Sequence, residues 1–375
     1  MRYSRDTDTS SNTLAAALLS SAGVPSLPAG FDVAAFLASA ARDGLLGLLH
    51  ARVCATGLAD GLPPALVAGL RAGAHRQVAW ELAQRVELQR VVAEAARRRL
   101  DVLLMKGASL AYDVYPDPAW RARSDTDLFV RAADREQIRA CLDDLGYVCE
   151  PEMSGSLVSY QFHSQRIDEH GIRHLYDVHW KIADRQRFAD AIGFNELAGD
   201  AVALSALGPG ARGIGRVHAL WLACVHRAAH HYDSDTLVWL YDIHLLMGAL
   251  DADGIARFVS LAERTGVRRI CLRALQLSHD RFGTEISTAT RAALEAAPAD
   301  EPSTMFLRPE IRKVDVLLDD VRALPGWRPR LTLLREHLFP DAAYMRRTYA
   351  VGSPAPTSWL YVRRIVRGAS KWFRH

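Results

Sequence analysis

Two aspartates separated by one residue give this chain its clearest chemical signal. Asp125 and Asp127 lie in residues 124–130 (SDTDLFV), a run with the composition of a strand. Side chains alternate along a strand, so the two carboxylates point from the same face. Adjacent carboxylates repel each other unless a cation lies between them, and oxygen-rich sites suit Mg²⁺ or Mn²⁺. The pair predicts a divalent metal site, although alone it also fits a solvated strand edge.

A third acid occurs in residues 175–182 (LYDVHWKI), where every second residue from 176 is apolar. Asp177, His179 and Lys181 point the other way, and a buried acid among apolar residues needs a partner. Asp177 alone would also fit an ion pair with Lys181. A metal shared with Asp125 and Asp127 is the alternative that we favour. Three carboxylates can hold two ions, one activating an acceptor hydroxyl and one neutralising a triphosphate, and Asp177 could help to take the acceptor proton.

A glycine turn upstream of the acids supplies candidate phosphate contacts. Residues 102–105 form an apolar run suited to a buried strand, and Gly107 ends it, so that backbone N–H groups can approach a phosphate. Lys106 could contact a phosphate as a point charge or remain solvated at the strand end. Arg121 and Arg123 flank the acidic strand and could bind phosphates or pair with nearby aspartates. Metal and phosphate together predict phosphoryl or nucleotidyl transfer.

Histidines in the second half of the chain are weaker candidates. His226 and His230 are four residues apart and share a helix face, but the glutamate of the zinc motif HExxH is missing between them. We expect them to pack, to hydrogen bond toward Asp242, or to line a cleft from the helical side. His179 could orient a metal ligand or be a satisfied, partly buried side chain, and Trp239 is expected in the core. The residues expected in a substrate cleft are His179, Lys181, His226, His230 and Asp242.

Composition excludes several classes of protein. The 375 residues are 49% hydrophobic and 24% charged, with a net charge of +3 that is too balanced to indicate nucleic-acid binding. Five scattered cysteines without a CxxC pair argue against a disulfide framework or a structural zinc site and fit a reducing cytosol. We find no run of 18 apolar residues and no clear signal peptide, so we expect a cytoplasmic protein without a membrane span.

The C-terminal segment is the one strongly biased region. After residue 340 a single acid, Asp341, accompanies seven basic residues, and residues 356–373 form an amphipathic pattern. Such a helix could contact an anionic lipid, RNA or a peptide partner, or could simply dock by its aromatic face.

The apolar pattern predicts an α+β fold, in which a small mixed β-sheet core with helices is flanked by N-terminal helices and a larger C-terminal helical region. We divide the chain into a helical region 1–99, an α/β core 100–185 and a helical domain 186–375 with the basic tail. A long helix begins at Pro63-Pro64 and runs to about Arg99, and the glycine-rich residues 208–215 are interpreted as a linker. The expected strands are 102–105, 126–131, 147–150, 158–167 and 172–182.

As a set, these motifs resemble the polymerase-β-like nucleotidyltransferase superfamily, and more narrowly an uncharacterised bacterial family of nucleotidyltransferase-like proteins. The resemblance covers about residues 30–365 and includes a His-rich helix followed by a Trp-x-x-Asp segment. The matching segments are 104–108 (LMKGA), 115–118 (YPDP), Arg121, 125–128 (DTDL), 177–180 (DVHW), 226–230 (HRAAH) and 239–242 (WLYD).

The resemblance implies a nucleotidyltransferase core with Asp125, Asp127 and Asp177 as metal ligands. It also implies that Gly107 and Ser109 lie at the triphosphate. This chain departs from the usual Gly-Ser or Gly-Gly turn, because an alanine follows the glycine and the serine comes one place later. The nucleotide- or phosphate-binding candidates are Lys106, Gly107, Ser109, Arg121 and Arg123.

Three functional hypotheses follow. The first is a nucleotidyltransferase that uses Mg²⁺ or Mn²⁺ to move an NMP from an NTP to a hydroxyl or phosphate of an acceptor, releasing pyrophosphate. The acceptor could be a small molecule, a peptide, a protein or a tRNA. The second is an inactive protein that keeps the fold and senses nucleotide. The third is an interaction protein that acts through its helices and basic tail, with a peptide or RNA as partner.

Overall fold

A computed structural model describes residues 9–20, 23–149, 155–349 and 356–372. These residues form seventeen α-helices and one seven-stranded mixed sheet, which confirms the α+β class. Cys54, Cys141, Cys224 and Cys271 are free thiols. Within the described ranges, no single helix is long and apolar enough to cross a membrane, although one sharply bent helix pair, Val33–Arg42 with Leu46–Thr56, passes by length and composition.

Four helices precede the sheet, and the fourth is the longest. Asp32 caps the second by accepting hydrogen bonds from two backbone N–H groups, and Pro64 begins the fourth, where a proline lacks no needed donor. The four are α1 (Thr9–Ser20), α2 (Val33–Arg42), α3 (Leu46–Thr56) and α4 (Pro64–Arg97).

Apolar residues recur at multiples of four along α4, but only those in its first part are buried. Leu66 and Leu70 are fully buried, whereas Val78, Leu82 and Val86 are 43%, 56% and 66% exposed. A repeat of four residues advances about 40° further around the helix at each step, because an α-helix has 3.6 residues per turn. Over the length of α4 the stripe therefore turns from the core toward solvent.

The sheet has strand order β3-β4-β5-β2-β1-β7-β6. Two pairs are parallel, β2 with β5 and β1 with β7, and the other neighbours are antiparallel. The strands are β1 (Val102–Met105), β2 (Thr126–Val130), β3 (Val148–Cys149), β4 (Gln161–Ile167), β5 (Arg173–His179), β6 (Val202–Ala203) and β7 (Arg212–Gly213).

Two of these strands correct the sequence interpretation. Residues 208–215 were expected to be a linker, but Gly213 of β7 pairs with Leu104 of β1 and also with Val202 of β6. The sheet therefore extends beyond residue 185 into the region assigned to the helical domain. Strands of two residues show no alternation, so the sequence pattern could not reveal them.

The remaining helices surround the sheet. Those described here are α5 (Lys106–Asp113), α6 (Arg135–Asp144), α7 (Gln186–Ala189), α8 (Phe194–Gly199), α9 (Arg216–Ala229), α10 (Leu237–Gly248), α11 (Ala252–Arg264), α12 (Arg268–Phe282), α13 (Thr288–Glu295), α14 (Lys313–Ala323), α15 (Trp327–Leu338), α16 (Ala342–Tyr349) and α17 (Thr357–Trp372). The predicted C-terminal helix is present as α17, where Leu360 is fully buried and Trp359 is 57% exposed.

The two faces of the sheet belong to different apolar clusters. Leu128 and Tyr176 lie in the smaller cluster with residues of α4 and α6, as the alternation of side chains predicts. Leu103 and Phe129 lie in the larger cluster, which includes α9, α10 and α12. Asp127 has the same parity as Phe129, so the acidic face of β2 is turned toward the C-terminal helices.

Candidate active site

The parallel pairing of β2 with β5 places acidic residues side by side. Asp127 is the direct register partner of Asp177, and Phe129 is the partner of His179. One ligand atom from each of Asp127, Asp177 and His179 lies within 4.8 Å of the other two, a grouping that could hold a metal ion. Mn²⁺ binds both carboxylate oxygens and imidazole nitrogens, whereas Mg²⁺ would be bound mainly by the carboxylate oxygens.

Asp127 is buried and already has two cationic or polar partners. Its Oδ1 accepts from Lys106 Nζ at 2.6 Å and contacts His179 Nε2 at 2.9 Å. Burial raises the pKa of Asp127, but Lys106 and His179 outweigh that effect and lower the pKa to about 2. Burial lowers the pKa of Lys106, and the attraction of Asp127 more than compensates, so its pKa is raised. Both side chains are therefore charged at neutral pH.

Asp125 lies just before β2 and lines one cavity together with Asp127 and Asp177. Burial and the negative charges of Asp127 and Asp177 raise its pKa to about 6, because Lys106 and Arg121 compensate only in part. An excess of negative charge at this position is what a bound cation would neutralise. The structure thus brings all three predicted carboxylates to one cavity, with His179 replacing Asp125 in the tightest group.

A histidine that the sequence reasoning missed holds the third carboxylate. His163 on β4 is the register partner of Asp177, and its Nδ1 lies 2.5 Å from Asp177 Oδ1. Its Nε2 lies 3.2 Å from the amide nitrogen of Gln161. This geometry fits a ring that donates from Nδ1 to Asp177 and accepts at Nε2 from Gln161. The register of the β4–β5 hairpin was the signal that could have revealed it.

A cavity of about 650 Å³ opens between the acidic face of the inner strands β2 and β5 and helices α9 and α10, and residues at the end of α2 complete its rim. Its volume lies within the range of small-molecule sites. Among the predicted residues its wall includes Lys106, Gly107, Arg121, Arg123, Asp125, Asp127, Asp177, His179, His226, His230 and Asp242.

Arg121 joins the sheet to the C-terminal helices. Its Nε and Nη2 each donate to a different oxygen of Asp242 at 2.8 Å, and Tyr115 donates to the same carboxylate at 2.7 Å. Arg121 is 7% exposed and Asp242 is 3% exposed. A Cβ added at Gly107 would lie 3.4 Å from the guanidinium carbon, so this glycine lies directly against the pair. Arg121, which was expected at a phosphate, is thus engaged in a buried ion pair beside the turn at Gly107.

Arg123 is likewise occupied. It forms a buried ion pair with Glu81 of α4, and Tyr112 donates to the same glutamate at 2.5 Å. The helix that precedes the sheet therefore fixes the loop that leads into the acidic strand.

Two further residues do not lie where we expected them. Ser109 is buried and outside the described cavity wall, and its hydroxyl faces Gly213, where an added Cβ would lie 2.1 Å from Oγ. Lys181 also lies outside that wall and donates to Asp190 at 2.8 Å. One position along α5 turns a side chain by about 100°, which is why the serine beyond Ala108 faces β7 and not the cavity.

The helical wall of the cavity is aromatic. His226 stacks on His230 with ring centroids 5.0 Å apart, and His226 Nε2 lies 3.0 Å from His231 Nε2. The rings of His231 and Trp239 are 4.1 Å apart, and both line the cavity. Trp239 packs against the larger apolar cluster, as expected of a core residue, but it is only partly buried and also lines the cavity.

The three histidines of this wall, His226, His230 and His231, are uncharged at neutral pH. Burial lowers the pKa of His226 and of His230 well below the usual value. Burial, together with the smaller effect of the Lys106 charge, lowers the pKa of His231 to about 4. The sheet side of the cavity consequently carries Lys106, Asp127 and Asp177, whereas the histidine cluster on the helical side is uncharged. Arg227 and Asp242, which are engaged in ion pairs, also line the helical side.

Comparison with known proteins agrees with this geometry. Residues 29–283 match the model of a family described as an uncharacterised nucleotidyltransferase, which is more than half of the chain. The matched region includes the three carboxylates and the aromatic wall. No curated protein is significantly similar to the chain.

Proposed function

Because the chain belongs to this family of uncharacterised nucleotidyltransferases, we propose that it transfers an NMP from an NTP to a hydroxyl or phosphate of an acceptor. The oxygen of the acceptor would bond to the α-phosphorus, and the bond to the leaving pyrophosphate would break. The observation that supports this most strongly is the group formed by Asp127, Asp177 and His179, with Asp125 beside it, in one cavity.

The donor set fits a divalent cation of the Mg²⁺ or Mn²⁺ type, held by Asp127 and Asp177 with Asp125 or His179 in support. When bound, such an ion supplies charge neutralisation and lowers the pKa of a coordinated hydroxyl. The raised pKa of Asp125 fits this assignment, because a cation would relieve the repulsion that causes it.

The residues of the chain itself would divide the remaining work. Lys106 would pair with the triphosphate, and Gly107, at the start of α5, would let the first backbone N–H groups of the helix approach it. Asp177 would accept the proton of the attacking hydroxyl, directly or through water. Arg121, held by its ion pair with Asp242, would position the turn at Gly107 that it contacts.

The test is incubation of the purified chain with each labelled NTP, Mg²⁺ or Mn²⁺, and cell extract as the source of acceptor. We expect label transfer that is lost in Asp127→Asn and Asp125→Asn and retained in Asp190→Asn, a matched change at an exposed aspartate. Unfolding curves of each variant establish that it is folded. Transfer that survives both cavity substitutions would refute the proposed site.

A second function is favoured by one contact. Lys106 Nζ lies 2.6 Å from Asp127 Oδ1, so an ammonium group can take the position of a metal and leave a cavity that binds nucleotide without turnover. Calorimetry in the presence of EDTA distinguishes the two functions. NTP binding that needs no metal and is weakened by Lys106→Ala, together with no label transfer, supports a nucleotide sensor.

A further inference from the structure

We infer that Trp239 and His231 form the stacking surface for the base of the nucleoside triphosphate. The inference rests on the proposed function, because it concerns the same cavity. It assigns the helical wall to the donor nucleotide and leaves the acceptor to approach from the open side.

The aromatic rings of this wall pack against one another, and His231 and Trp239 both line the cavity, so a base would stack on the side that they present to it. Trp239 lies in the first turn of α10, and His231 lies in the turn after α9, with ring centroids 4.1 Å apart and planes inclined by 38°. His226 completes the surface, perpendicular to Trp239 at 6.4 Å. Aromatic side chains that face a cavity stack with any nucleobase, because every base presents a π face.

The distribution of charge sets the orientation of the nucleotide. Lys106, Asp127 and Asp177 form a charged wall, whereas the histidines opposite are uncharged because burial lowers their pKa values. A nucleoside triphosphate has the same division, with a charged phosphate chain and a neutral planar base. Neutral imidazoles attract phosphate weakly, so the phosphate chain would lie against the charged residues of the sheet and the base against the rings.

The turn that presents His231 is held in a costly conformation. Tyr232 and Asp233 are both left-handed, with φ of 55°, although neither is glycine. The Asp233 carboxylate is fixed by the fully buried Arg227 at 2.6 Å and by Arg273 at 3.2 Å. Backbone strain of this kind persists only where surrounding contacts enforce it, and it concentrates at ligand sites. The wall is therefore pre-organised, which favours a binding role over simple packing.

The experiment compares a ligand that has a base, an NTP, with one that has only the phosphate chain, inorganic tripolyphosphate. Binding of NTPs and of inorganic tripolyphosphate to the full chain is measured by calorimetry with the same divalent ion. We expect Trp239→Ala to weaken NTP binding about tenfold, within the range seen for loss of one base stack, and to leave tripolyphosphate binding unchanged. Trp239→Phe, which keeps a ring, should retain most of the affinity. Trp359→Ala, at an exposed tryptophan of α17, is the control and should change neither.

Two outcomes would overturn the inference. The first is unchanged NTP affinity in Trp239→Ala, which together with a raised KM for the acceptor would assign the wall to the acceptor, and the second is an equal loss of affinity for NTP and tripolyphosphate in both Trp239 variants. Loss of transfer in Asp127→Asn tests the proposed function separately. If that loss occurs while Trp239→Ala binds NTP normally, the inference fails and the function stands. If Trp239 governs NTP binding but the unaltered chain transfers nothing, the function fails and the base site stands.

Discussion

Asp127 and Asp177 lie directly opposite each other on the parallel strands β2 and β5. Neighbouring strands are about 4.8 Å apart, so two carboxylates at one register position require compensation. Lys106 contacts one of them and His163 contacts the other. The cavity beside them leaves room for substrate, which makes this register the central feature of the site.

His163 should act through Asp177. We expect His163→Ala to lower kcat about tenfold, the lower end of the effect of losing a partner of a ligating residue, with little change in KM for NTP. His163→Asn, which keeps a donor near the same position, should recover part of the loss. Steady-state kinetics over a range of Mn²⁺ concentrations would show the effect as a raised metal requirement. His170→Ala, in the exposed β4–β5 turn, is the control, and an equal change in that variant would contradict the assignment.

Asp125 should lower stability at neutral pH in the absence of metal. Its pKa of about 6 exceeds that of an unfolded aspartate, so the folded state binds the proton more tightly, and stability falls as pH rises from about 4 to about 6. Asp125→Asn removes this cost, so the variant should be more stable by about 3 kcal/mol at pH 7. Below about pH 4 the difference should vanish. Urea unfolding in EDTA across this range checks the sign, and a less stable variant at pH 7 would be the contrary result.

The Arg121–Asp242 pair should be a principal bond between the sheet and the C-terminal helices. Removing one partner leaves the other charged and buried, so Arg121→Ala or Asp242→Ala should lower the free energy of unfolding by about 3–5 kcal/mol. The two losses should be far from additive in the double variant, because both remove the same interaction. Tyr115→Phe should cost only about 1 kcal/mol. Additive effects in denaturant unfolding would show that the two residues act independently.

Gly213 should be required for β7 to join the sheet. A Cβ there would lie 2.1 Å from Ser109 Oγ, so Gly213→Ala should destabilise the chain by about 1–3 kcal/mol. Ser109→Ala removes the clashing hydroxyl and should rescue part of that loss in the double variant. Ser109→Ala alone should leave NTP affinity unchanged, because Ser109 lies outside the described cavity wall. A marked loss of NTP affinity in that single variant would instead restore Ser109 to the triphosphate site.

The sequence predicted that Asp125 and Asp127 lie on one side of their strand because alternation along a strand is a local property. Asp125 and Asp127 had to share a face, and the apolar face of Leu128 and Tyr176 had to be buried against other residues. Alternation in residues 175–182 also indicated Asp177, and the end of the apolar run at 102–105 indicated the turn at Gly107. The family motifs added the expectation that Gly107 and Ser109 lie at the triphosphate. The same local reasoning could not place Ser109, because one residue of helix changes the direction of a side chain by about 100°.

Only the tertiary structure decided which distant side chains meet. His163 reaches Asp177 through the register of a hairpin, and Arg121 reaches Asp242 through the packing of α10 against the loop before β2. Trp239 reads as an ordinary core position of a helix, and its place on the cavity depends on how α9 and α10 pack beside the sheet. Alternation is set by the backbone within a few residues, whereas register and helix packing are set by contacts between residues far apart in the chain.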